Sequence, residues 1–258
     1  MKIAIISNGA VGNGLIKYSD QRFNFCHLLA LFLFVLFVTP AHSADKYQYE
    51  YFDGQHGYFK ELLLGRYANN NDNRVWKWID DVKIFVKGDM PASLNKELDK
   101  IIVELNQISG SIRFERAASE DQANYFMFFG SGASYLLFEP NARPKSVERG
   151  AALYLHKNTG YEILKGSMYI DPAMLEDDAY KKYLLRKIFS HSLGIRYQAP
   201  YYADSVFSSL PYREITLKYS NLDKIIIKEF YSTCVKAGMD KYELDYVLIN
   251  GCEQEGSN

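Results

Sequence analysis

The chain has 258 residues, 48% of them hydrophobic and 24% charged, with a formal net charge of −1. Those are the proportions of a folded globular protein, and they exclude a disordered, collagen-like or disulfide-dense chain. Lys and Arg are spread along the sequence, so no basic patch predicts a nucleic-acid partner.

Export is the first expectation. Leu28 to Val38 (LLALFLFVLFV) is an unbroken apolar run, preceded by Arg22 and followed by Pro40, Ala41, His42, Ser43 and Ala44. Eleven helical residues rise only about 16 Å, roughly half the hydrocarbon thickness of a bilayer. A short apolar segment, a basic flank and small residues at Ala41 and Ser43 predict a signal peptide over residues 1–43, cleaved after Ser43. An uncleaved anchor is the alternative. Cleavage removes Lys2, Lys17, Arg22 and Asp20, takes the formal charge from −1 to −3 and leaves no stable transmembrane segment. The predicted location is periplasmic or secreted. Gly9, Gly12 and Gly14 imitate a dinucleotide loop, but their spacing is not G-x-G-x-x-G and no βαβ unit continues from them. Cys26 stands at the start of the apolar run, not its end, so lipoprotein processing is not predicted. It leaves with the signal, and Cys234 and Cys252 remain to pair in an oxidising compartment, a link worth about 3 kcal/mol that would fasten the C-terminal tail.

Residues 44–75 read as an irregular lead-in, with Tyr47, Tyr49 and Tyr51 alternating as in a short strand. The run from Asn69 to Asn73 is a polar loop without the Gly and Glu of a calcium-binding loop. Val82, Ile84 and Val86 alternate with Lys83, Phe85 and Lys87 in a strand that stops at Gly88. Ser93 is placed to cap a helix in which Leu94, Leu98, Ile101, Ile102, Leu105 and Ile108 recur at helical spacing, ended by Gly110. Strands follow at Ile112 and Phe114 and, as a continuous interior run, at Tyr125–Phe129. Ala151–His156 and Tyr161–Leu164 flank a turn at Asn158–Gly160, with a further strand at Ser167–Ile170. One helix is expected from about Asp178 to Leu193, behind the acidic Glu176, Asp177 and Asp178. Another starts at Ser220, with Asp223 completing a capping box and Leu222, Ile225, Ile226 and Phe230 directed inward.

The segment Lys187-Ile-Phe-Ser-His191-Ser-Leu193-Gly194-Ile195-Arg-Tyr197 carries the chemistry. In order and spacing it resembles the active-site helix of zincin peptidases of the matrixin kind, H-E-x-x-H-x-L-G-L-x-H. His191, Leu193, Gly194 and Ile195 match, whereas Lys187, Ile188 and Tyr197 replace the first ligand, the catalytic Glu and the third ligand. It is more similar to an uncharacterised family of exported bacterial proteins reading E-E-x-x-Q-x-L-G-L and then D-S-I-F, the latter matched by Asp204, Ser205, Val206 and Phe207. The resemblance implies an α+β, zincin-like single domain with a mixed, mostly β sheet and two to three helices. Its bounds are residues 76–235, followed by a tail over 236–258.

A catalytic zinc needs three ligands, a water and a carboxylate base. This helix offers one imidazole, with an ammonium one turn earlier on the same face. No zinc or other cofactor is therefore predicted, although a site uniting His56, His156 and His191 is an alternative. Each His also has a plain structural reading: His191 packed near Leu184 and Ile188, and His156 beside Tyr154 at the surface. A Ser-His-Asp set from Ser190 or Ser205, His191 and Asp204 lacks a nucleophile elbow. The expected function is that of an exported binding or assembly module without peptidase activity, with a protein or peptide partner in the cell envelope. Its cleft would be lined by Lys187, His191, Tyr197, Tyr201, Tyr202 and Phe207. A metal-dependent hydrolase using His191 with non-standard ligands is the alternative.

Overall fold

The computed structural model describes residues 44–66, 73–175, 177–210 and 217–251, with side chains from Gly54 onward. The signal peptide, Cys26, Cys252, Glu176 and Asn69–Asp72 lie outside the described residues, and so does the expected Cys234–Cys252 link. No described helix is long and apolar enough to cross a membrane.

The fold is α+β. Its mostly parallel sheet has six strands: β1 (Lys77–Trp78), β2 (Val82–Gly88), β3 (Phe114–Arg116), β4 (Tyr125–Phe129), β5 (Ala151–Lys157) and β6 (Glu162–Ile170). The order is β1-β6-β4-β2-β3, with β5 antiparallel to β6. β4 runs parallel between β2 and β6, in register from Tyr125 opposite Gly166 to Phe129 opposite Ile170. A strand flanked on both sides and covered on both faces must be apolar throughout, hence the unbroken run Tyr-Phe-Met-Phe-Phe.

Strand alternation divides the core into two faces. Tyr125, Met127 and Phe129 of β4, Met168 and Ile170 of β6 and Leu153 of β5 point into the main core. That face is covered by α1 (Ala44–Leu64), α2 (Ala92–Ile108), α5 (Asp178–Ser192), α6 (Asn221–Phe230) and α7 (Lys241–Asn250), each contributing buried side chains. The alternate residues Ala152 and Tyr169 face a smaller cluster with Tyr135 of α3 (Gly132–Phe138) and Val147 of α4 (Pro144–Val147). Tyr135 and Tyr169 stack there with ring centroids 5.0 Å apart.

Several expectations are corrected. The seven described helices exceed the two to three anticipated, and the Tyr47–Tyr51 alternation lies within α1 instead of a strand. The supposed lead-in is a helix because Tyr58, Phe59, Leu62 and Leu63 repeat at helical spacing, and all four are buried. The supposed tail holds α7, capped by Asp240 and anchored through buried Leu244. Glu162–Leu164 and Ser167–Ile170 belong to one strand, β6, with Tyr161 left in the preceding turn; the two runs are bridged through Gly166, where an added Cβ would stand 2.8 Å from both Leu155 and Tyr125. Pro91, not Ser93, occupies the N-cap of α2, and the Ser93 hydroxyl lies 2.6 Å from the Asp178 carboxylate. Ile225 is 56% exposed while Ile227 is buried, a shift of the inward face along α6. The capping box of Ser220 and Asp223 forms as the spacing predicts.

Candidate functional site

α5 brings the motif helix onto the sheet. Its N-cap Asp177 accepts hydrogen bonds from the Ala179 and Tyr180 amides. Leu184, Leu185, Ile188 and Phe189 bury its sheet-facing side, so Ile188 is a core residue where the zincin pattern has its Glu. The helix ends at Gly194, whose φ of +105° and approach to the Trp76 carbonyl exclude any side chain: an added Cβ would lie 2.1 Å from that oxygen. This turn lets the chain double back so that His191 Nδ1 meets the Ile195 carbonyl at 2.7 Å. A carbonyl only accepts, so Nδ1 carries the proton. The other nitrogen, Nε2, is buried without a hydrogen-bond partner among the described residues. The Phe207 ring stands edge-on to the imidazole at 5.5 Å. Burial first, then the neighbouring Lys187 charge, pushes the His191 pKa down to about 3, against the pull of the Ile195 carbonyl. His191 is a neutral, fully enclosed residue.

Lys187 stands one turn earlier and is also buried. Its ammonium donates to the Ser208 carbonyl at 2.7 Å and to the Tyr183 hydroxyl at 3.2 Å. It thereby ties α5 to the segment after the Asp204–Phe207 turn. Burial lowers its pKa to about 8, opposed by the charge of Asp223. Beneath the same turn, the Tyr58 hydroxyl donates to Ser205 Oγ at 2.9 Å, and Ser205 donates to Asp223 at 2.6 Å. The Val206 and Ser220 amides also donate to the Asp223 carboxylate. Burial raises the Asp223 pKa although these three donors favour its charged form. Ser205 is thus a structural link from α1 to α6, and Asp204 is exposed beside it. Ser190 donates to the Arg186 carbonyl and lies 3.0 Å from the Tyr219 hydroxyl, so neither serine addresses His191.

The remaining histidines are elsewhere. His156 Nε2 lies 2.8 Å from Glu139, a buried carboxylate, and its ring packs against Tyr154. No three His, Cys, Asp or Glu side chains among the described residues are arranged to hold a metal. The donor set around His191 does not fit zinc: its neighbours are an ammonium, a phenylalanine and backbone carbonyls that are already hydrogen-bonded.

The residues expected to line one cleft separate into two groups. Lys187, His191 and Phe207 close up as interior. Tyr201 and Tyr202 instead border an open cleft of about 630 Å³ whose other wall is α1, with Gly54, Gly57, Tyr58 and Arg66. The Tyr58 ring meets Tyr201 and Tyr202 edge-on at 6.1 and 4.8 Å. Arg66 lies over Tyr201 at 5.7 Å and donates to its hydroxyl at 3.0 Å. Tyr197 sits behind this wall, where its backbone amide bonds the Leu62 carbonyl and its ring covers Gly65. The α1 residues of the cleft escaped sequence reading because they lay in a segment read as irregular. The recurrence of Tyr58, Phe59, Leu62 and Leu63 at helical spacing is the signal that finds them.

Among curated proteins, no match to this chain was found. A family model described as "Protein of unknown function (DUF2927)" matches residues 55–250, a span that includes the cleft wall from Gly57 onward, the His191 helix and α7. The match covers most of the chain, and the chain belongs to that family of proteins of unknown function.

Proposed function

We propose that this is an exported, zincin-like binding module of the cell envelope, without peptidase activity, whose partner is a peptide or protein segment. The observation that carries the reading is where space remains. The position of the lost metal ligands is filled by packed side chains, while an open cleft lies 630 Å³ in size between α1 and Tyr201–Tyr202. Support for the zincin-like plan comes from the order of elements: β2, α2, β3 to β6 with β5 antiparallel, α5 with its Gly194 turn, the turn beneath His191, and α6. No strand residue lines the cleft, so the partner is held by side chains and helix backbone and not by pairing with a sheet edge.

The test uses the protein over residues 44–258, purified without chelator or histidine tag. The expected results are no stoichiometric zinc and no shift in melting temperature on zinc addition. Near-stoichiometric zinc that disappears in His191→Ala would overturn the reading in favour of a metal-dependent hydrolase. A bound partner retained at unchanged affinity by the Tyr201→Ala, Tyr202→Ala double variant would remove the cleft from the proposal.

A further inference from the structure

We infer that the α1 cleft takes an acidic peptide segment, laid along the glycine face of α1 and read by the basic rim; this rests on the binding-module reading and names its ligand class. The first observation is the cavity itself and the charge around it. Lys60, Arg66 and Lys241 border the cleft against a single carboxylate, Glu61, in a chain whose formal net charge is −1. Arg66 pairs with Glu61 at 3.1 Å, Lys60 pairs with Asp245, and the Lys241 ammonium lies over the Tyr242 ring. These cations are at the surface, where an ion pair is worth about 0–1 kcal/mol, so exchanging one carboxylate for another costs little.

The second observation concerns the wall. Gly54 and Gly57 stand three residues apart inside α1, where each glycine weakens the helix by about 1 kcal/mol relative to Ala. A mid-helix glycine ordinarily admits a neighbouring backbone. Here no described heavy atom lies within 4 Å of the position of either missing Cβ. Among the described residues, the wall at Gly54 and Gly57 therefore leaves room between the side chains of Tyr58 and Glu61 and the solvent, on which an incoming main chain can rest. Opposite stands Tyr201, 55% exposed and held by Arg66, a pairing of the residue types that anchor peptide interfaces.

The test is fluorescence polarisation with residues 44–258 and three labelled decapeptides that alternate Leu with Glu, Gln or Lys. The Glu peptide is expected to bind roughly tenfold more tightly than the Gln peptide and to weaken as salt rises, with the Lys peptide not bound. Arg66→Gln with Lys241→Gln should remove that preference. Gly57→Leu should block binding by filling the cleft while leaving the melting temperature unchanged or higher, since Leu favours helix over Gly. Equal binding of the Glu and Gln peptides, lost in the tyrosine double variant, would overturn the acidic preference and leave the binding module standing. Tighter binding of a single-stranded oligonucleotide than of the Glu peptide would overturn the peptide class. No binding of any peptide, with wild type and tyrosine variant equally inert, would sink both proposals.

Discussion

The His191 region and the α1 cleft share Tyr58, yet they treat their polar groups in opposite ways. In the first, Lys187, His191, Ser205 and Asp223 are all buried, and their hydrogen bonds go to carbonyls, amides, tyrosine hydroxyls and each other. In the second, the tyrosines and cations stand at the surface around open volume. Motif resemblance pointed to the first region. Burial gives it a packing role, because a neutral imidazole and an ammonium are enclosed there within the core. Where a motif has lost its ligands, the space they would have surrounded is more informative than the residue that survives.

The largest effect that would sharpen this contrast is acid instability from His191. Its pKa is about 3 in the fold against 6.5 when free, so the unfolded chain binds the extra proton between those values. Stability should then be lost as pH falls from 6.5 toward 3, by up to about 5 kcal/mol. Asp223, raised by burial, works in the other direction, so the measurement is the difference between wild type and His191→Asn in urea unfolding across that range. A slope unchanged in the variant would mean that His191 is solvated.

Lys187 should act at alkaline pH. Its pKa is about 8 in the fold and 10.5 when free, so the unfolded state again binds more protons and stability rises with pH between 8 and 10.5. The rise amounts to about 3 kcal/mol at most, and Lys77, also lowered to about 8 by burial, adds a similar one. Lys187→Met should abolish its share. Buried tyrosines such as Tyr58, raised by burial, begin to oppose the trend above pH 10, so the clean window is pH 8 to 10. Smaller still is Ser205→Ala, which leaves Asp223 and Tyr58 each short of a partner and should cost about 1–3 kcal/mol by thermal or urea unfolding. The smallest is Tyr201→Ala, at the exposed cleft, with a stability change within about 0.5 kcal/mol. A cost comparable to that of Ser205→Ala would make the cleft wall part of the core and break the contrast.

The strand at Val82–Gly88, the helix at 92–108, the interior run Tyr125–Phe129 and the helix pair α5 and α6 were legible because each carries a strong period, a terminating Gly or a cap. α1 was not, since three alternating tyrosines within helical periodicity mimic a strand, and its burial depends on docking against the sheet and α7. α3 and α4 were missed for a related reason: they are short, and only Tyr135 and Val147 with the far face of the sheet give them a reason to form.

Local pattern thus determined the class, the sheet-forming segments and the helix that ends at Gly194. A left-handed turn against the Trp76 carbonyl admits no other residue, and that constraint is written in the residue itself. Which residues of the motif face solvent was decided only by tertiary structure. Lys187, His191, Tyr201 and Tyr202 are equally polar on paper. The fold alone encloses the first two and leaves the others beside an open cleft, because enclosure depends on what α1 and the Asp204–Phe207 turn bring from distant parts of the chain.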